Sequence, residues 1–198
     1  MRTAFLVAAC VLCVAASAAA APLYVPGASN FMQGTEAFAL AGPADATATT
    51  QLLFAIRQRT DTLSAELDRV SNPRSPAYGA HYSFADMAKF ANREGTRAVH
   101  RFLAETDVLD VRTSPHGEYV RAVMTVASAS KLLGTRFYNF TGRAAHNNGT
   151  SVVRCPGYFL PADVAAHVTT IGYTVAFPTL RSAAVRVLTA AASSGDQV

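Results

Sequence analysis

A chain of 198 residues, about half of them apolar and 15% charged, has the composition of one globular domain with tails, not of a disordered segment. Its formal net charge of +4 comes from scattered basic residues, with no Lys/Arg run. That distribution gives no support to nucleic-acid or membrane-surface binding.

Part of the apolar content lies at the N-terminus. Arg2, the apolar run Ala4–Ala16 and the small residues Ser17–Ala21 read as a cleaved secretory signal over residues 1–20. An uncleaved anchor is the alternative, but the run is marginal against the roughly 20 strongly apolar residues that span a bilayer. Loss of Arg2 leaves 16 basic and 13 acidic residues, a net of +3. Cys10 and Cys13 belong to the signal, so Cys155 stands alone and no internal disulfide is expected. It reads as a small buried apolar residue.

Residues 21–35, with Pro22, Pro26, Gly27 and Gly34, predict an irregular segment, and residues 41–50 a loop. In 51–59, Leu52, Phe54 and Ile56 alternate as in a strand. Thr60 or Asp61 caps a helix whose apolar stripe is Leu63, Leu67 and Val70, ending before Asn72-Pro73. The stretch Ser71–Ser83 holds two prolines, a glycine, Tyr78 and Tyr82, and reads as a rigid loop pinned by aromatics. A second helix is expected from Ser83, with Asp86 closing a capping box and Phe84, Met87 and Phe90 or Ala88 facing inward. Asn92–Gly95 breaks it. A third helix over 96–106 has Val99, Phe102 and Leu103 as its stripe.

A strand over 108–113, a turn at Ser114–Gly117 and an alternating strand over 118–126 follow. A short helix over 127–133 ends at Gly134. Strands over 135–141 and 151–155 flank a polar loop at 142–149. Pro161 opens a last helix to about Val168 as its first residue. From residue 172 the chain reads as a linker-like tail. Strand, helices, two strands, helix and strand predict an α+β, ferredoxin-like antiparallel sheet with helices packed on one face.

Chemistry-bearing motifs are scarce. There is no Gly-rich phosphate loop, no His-Glu-x-x-His, no paired-Cys spacing and no Gly-x-Ser-x-Gly. His81, His100, His116, His146 and His167 are isolated. Asn148-Gly149-Thr150-Ser151 imitates part of a Ser-Gly-Thr-Ser nucleophile motif, but Asn-Gly is a preferred hairpin turn and no base stands at motif spacing. No catalytic, metal-binding or cofactor-binding residue is therefore assigned. Asn148 and Asn139 both head Asn-x-Thr sequons. Asn148 on its loop is the better glycosylation acceptor, and Asn139 qualifies only if its strand face is outward.

Ser71–Ser83 also carries a resemblance. Its Asn-Pro-x-Ser-Pro-x-Tyr-Gly, followed by His-x-Ser, resembles the pro-kumamolisin activation domain. That domain is the prosegment of the sedolisins, acid-acting serine-carboxyl peptidases that include tripeptidyl peptidases. Within it, Pro73, Ser75, Pro76, Tyr78 and Gly79 match. Further on, the turn at Ser114-Pro115-x-Gly117, Leu132-Leu133-Gly134-Thr135-x-Phe137, Val153-Arg154 through Gly157-Tyr158-x-Leu160-Pro161, and His167-Val168 also match, in family order, over about 36–171. Ala80 and Tyr82 depart from the usual Lys and Leu.

The resemblance implies a ferredoxin-like prosegment that aids folding and inhibits its peptidase until acid releases it. The partner it implies is a sedolisin catalytic domain, in cis or in trans, and a stand-alone inhibitor acting in trans is the alternative. Calcium belongs to that family's catalytic domain. Its Glu-x-x-x-Asp pair occurs nowhere in this sequence, so no catalytic residue carries over and the chain is expected to be inactive alone. Candidate interface charges are Asp61, Glu66 and Asp68 with Arg57, Arg59 and Arg69. Delivery through the secretory pathway, to the exterior or to a lysosome-like acid compartment, is implied in the same way.

Overall fold

The computed structural model describes residues 22–143 and 149–178. The expected signal peptide, His146 and Asn148 lie outside them. Nine strands and four α-helices occur among the described residues, in three antiparallel sheets.

The central sheet has four strands in the order β4-β5-β3-β9. β3 (Thr49–Ile56) pairs with β5 (Tyr119–Thr125) on one side and β9 (Val168–Gly172) on the other. β4 (Asp110–Thr113) completes the edge beyond β5. This is the ferredoxin-like order expected from the sequence. Leu52, Phe54 and Ile56 of β3, with Val120, Ala122 and Met124 of β5, are all buried on one face. Two helices cover that face: α2 (Arg93–Leu103), through Val99, Phe102 and Leu103, and α3 (Val126–Leu133), through Val126, Ala129 and Leu133. Phe102 meets Phe54 edge-on, ring centroids 6.4 Å apart.

Local chemistry places both helices. The Asn92 side chain accepts from the Gly95 N–H at 3.0 Å, so residues 92–95 start a helix where a break was expected. Gly95 is also where α2 meets the sheet: a Cβ there would lie 2.8 Å from Ile56 Cγ2. Thr125 caps α3, and Gly134 ends it in the left-handed conformation at φ 59°.

The fourth strand is not the expected one. Residues 135–141 were the expected fourth strand, but β6 (Tyr138–Gly142) lies in a separate three-stranded sheet, β2-β6-β7, with β2 (Phe38–Pro43) and β7 (Ser151–Arg154). In the chain, β6, β7 and β8 (Gly157–Leu160) fall between α3 and β9, whereas their partners β2 and β1 (Leu23–Pro26, paired with β8) precede β3. The reason is aromatic: Phe31, Phe38 and Phe140 form a second core with Phe177 packed against it. Residues 21–35 and 41–43, expected irregular, therefore carry β1, a 3-10 turn at Phe31–Gln33 and part of β2.

Other elements shift. α1 (Thr60–Ser71) buries only Val70, and Leu63 and Leu67 are exposed, so its stripe faces away from the core. The helix expected at Ser83 is a 3-10 turn, Asp86–Phe90, with Phe84 69% exposed. Pro161 precedes α4 (Ala162–Ala165) rather than sitting inside it. The expected tail does not begin at 172, because Thr174 is buried and Phe177 joins the aromatic core.

Candidate functional site

Among the described residues, the face of the central sheet opposite the helices has no such cover. Gln51, Leu53 and Ala55 of β3 share it with Tyr119, Arg121 and Val123 of β5, Asp110 and Arg112 of β4, and Thr170 and Gly172 of β9. None of these residues is buried. Arg121 donates to Asp110 at 2.7 Å and to Gln51 at 3.1 Å, while Arg112 donates to Asp110 at 3.1 Å. Two guanidiniums thus share one carboxylate, leaving the face net positive between Leu53, Val123 and the exposed ring of Tyr119.

β9 carries this face directly into the segment that leaves the domain. Tyr173 follows at φ 66°, exposed, the one described non-glycine residue in the left-handed region. Thr174 then turns inward, its Oγ donating to the Ile171 carbonyl at 2.5 Å. Its carbonyl accepts from the Cys155 N–H at 2.9 Å. Arg154, on β7, donates to the Tyr173 and Ala176 carbonyls. Arg154 lies in the Val153-Arg154 match named above, but nothing in the sequence spacing marks the inward turn at Thr174.

A second polar constellation ties the Ser71–Ser83 loop to α1. The Tyr82 hydroxyl donates to Glu66, and Arg69 donates to both, at 2.9 Å to Glu66 and 2.7 Å to the Tyr82 oxygen. Lys89 lies 3.6 Å over the Tyr82 ring. The Tyr82 hydroxyl and then Arg69 hold the Glu66 carboxyl below the usual glutamate range. Ser114 does the same for Glu118, just before β5, by donating from its hydroxyl at 2.5 Å. Glu66 and Arg69 are thus already partnered within the chain. The Ser83–Asp86 capping box forms, with the Asp86 N–H on Ser83 Oγ at 3.2 Å.

The sequence-derived motif residues fall in three places. Pro73, Ser75, Pro76, Tyr78 and Gly79 form successive turns, with the Gly79 N–H closing on the Val70 carbonyl at 2.9 Å and φ 78°. Tyr82, not Tyr78, pins this loop, since Tyr78 is 60% exposed. Gly117 sits in the β4–β5 turn at φ 74°. Leu133, Gly134, Gly157 and Tyr158 gather where α3 meets β8: Leu133 and Tyr158 are buried, and Phe159 lies against Gly134. The Tyr158 hydroxyl receives the Ile171 N–H at 3.1 Å, joining β8 to β9.

Cys155 is fully buried, and burial pushes its thiol up to about 12, so it is no nucleophile at neutral pH. His116 packs on Phe84, centroids 4.3 Å apart, with both ring nitrogens buried and unpartnered among the described residues. No group of three His, Cys, Asp or Glu among the described residues could hold a metal ion. Asn139 shares the outward face of β6 with exposed Thr141, while Phe140 points into the aromatic core. No described helix is long and apolar enough to cross a membrane.

Residues 36–177 match the family described as pro-kumamolisin, activation domain. Among curated proteins, the chain is 30% identical over 136 residues to tripeptidyl-peptidase 1 of Rattus norvegicus, covering 66% of this chain and 24% of the relative. It is 28% identical over 123 residues to the probable tripeptidyl-peptidase SED3 of Arthroderma benhamiae, covering 61% and 20%. With tripeptidyl-peptidase 1 of Dictyostelium discoideum the figures are 25% over 125 residues, 62% and 20%. The matched stretch thus spans a quarter or less of each relative.

Proposed function

The chain belongs to the pro-kumamolisin activation domain family, and from that premise we propose that it is the prosegment of a sedolisin-type, tripeptidyl-peptidase-like serine peptidase. It acts as a folding aid and as an inhibitor released by acid. The observation that carries this reading is the bare sheet face, partly apolar and net positive, which β9 continues straight into the exit segment. On it, Leu53, Val123 and Tyr119 lie beside two arginines that share one carboxylate. A partner with a complementary acidic rim fits it. The catalytic domain of the peptidase docks on this face, and the tail after the exit segment crosses its active site. Supplied in cis, the domain works at high effective concentration; supplied as a separate chain, it needs its own affinity.

Two depressed carboxyls support release by acid. Glu66 and Glu118 both have values lowered in the fold. Their contribution to stability is complete above the ordinary glutamate range and is lost as pH falls through the depressed values. Acid therefore loosens the Ser71–Phe90 region and the β4–β5 turn, and that turn borders the open face. Delivery through the secretory pathway to an acid compartment, with glycans on Asn139 and Asn148, belongs to the same reading.

The test is to add the full chain to a purified tripeptidyl-peptidase catalytic portion across pH. Inhibition near neutrality that fades on acidification is expected. Absence of inhibition at every pH overturns the proposal.

A further inference from the structure

We infer that Arg154 is a latch that sets where the tail leaves the domain, a positioning residue for the inhibitory segment; this rests on the prosegment reading. Its side chain is buried, with the residue 7% exposed, and burial pulls its guanidinium below the ordinary arginine value. No carboxylate among the described residues lies within ion-pair reach of it. Its acceptors are backbone carbonyls: Ala176 at 2.5 Å, Val153 at 2.7 Å and Tyr173 at 3.4 Å. Two of the three belong to the exit segment.

A buried cation without an anion persists only if its donors are satisfied. Any other path for residues 173–176 would strip two acceptors from a guanidinium largely shielded from water. Arg154 therefore penalises every exit route but one. The neighbouring bonds act in the same direction: Cys155 N–H to the Thr174 carbonyl, and Thr174 Oγ to the Ile171 carbonyl. Phe177 then packs on Phe140, centroids 4.8 Å apart, so the chain emerges beside the aromatic core. Only arginine suits the position, because its planar fork reaches divergent carbonyls where the strongly hydrated ammonium of lysine acts as a point donor.

The latch holds backbone carbonyls just after β9, whereas the open face is built from side chains of the sheet, so docking and tail presentation are read by separate measurements. In Arg154→Gln, the Cys155 amide should exchange at least about tenfold faster, while the amides paired between β3 and β5 stay within about twofold. The variant should bind the tripeptidyl-peptidase catalytic portion within about threefold of the wild type, yet leave most turnover uninhibited at saturation. Arg154→Lys should fall between the two. Unchanged exchange at Cys155, or equal losses of binding and inhibition, overturns the inference. Should Arg154→Gln fail to fold, Thr174→Val, which removes one bond of the same latch, is read by the same two criteria. A wild-type chain that does not bind at all overturns the prosegment reading instead, and the exchange measurement still decides the latch.

Discussion

On one side of the central sheet, Leu52, Phe54, Ile56, Val120, Ala122 and Met124 disappear beneath α2 and α3. On the other, Gln51, Leu53, Ala55, Tyr119, Arg121 and Val123 stand on the same two strands with no helix above them among the described residues. Both faces include apolar side chains, but among the described residues only one is closed by helices. The closed face supplies stability. Under the proposed function, the open face, with its apolar side chains and shared carboxylate, is where the partner docks. A period of two residues is enough to separate the two jobs on a single strand.

Substitution on each face should separate these roles. Phe54→Ala should cost about 3–5 kcal/mol of stability by urea unfolding, because it empties a position sealed by Phe102. Leu53→Ala, one residue away, should cost less than about 1 kcal/mol. Similar losses at both positions would erase the distinction between the faces. Arg121→Glu should shift the unfolding midpoint little, since surface pairs contribute about 0–1 kcal/mol. Its effect should appear in binding to the catalytic portion, weakened about tenfold. Unaltered affinity, read by titration, would move the docking surface elsewhere.

The smallest effect is expected at the Tyr82 clasp, away from both faces. In the wild type, the loop should become more sensitive to a protease as pH drops below the ordinary glutamate range, since Glu66 is held low by the Tyr82 hydroxyl. Tyr82→Phe removes that hydroxyl. Its loop should be cut faster near neutrality and should change less on acidification. An equal acid response in both proteins would assign the pH dependence to Glu118 or to the partner.

Much of this was legible in the residues themselves. Alternation at Leu52, Phe54 and Ile56 and again at Val120, Ala122 and Met124 defined two strands and their buried sides, because the period of a strand is local. Gly134 marked the end of α3 by its tolerance of left-handed φ. The motif residues placed the chain in its family without any contact being known. The helix stripe of α1 misled: Leu63 and Leu67 have helical spacing, but periodicity says only that residues share a face, not that another element covers it. Phe84 misled for the same reason.

The interface charges expected on α1 were likewise a matter of local spacing. Spacing could not reveal that Tyr82, 16 residues from Glu66, reaches back to claim it. Nor did it mark β9: a helix was expected to about Val168, and no strand was expected over Val168–Gly172. β6 and β9 are both short, and which of them joins the central sheet depends on Phe31, Phe38, Phe140 and Phe177, drawn from three distant segments, closing a second core. The sequence by itself determined the family, the strands β3 and β5 and the inner side of the central sheet, all of which follow from local residue order. Tertiary structure alone decided the two small sheets, the outer face left uncovered among the described residues, and the backbone carbonyls that hold Arg154. Each depends on which distant backbone or side chain arrives to satisfy a group, and burial sets the cost of leaving it unsatisfied.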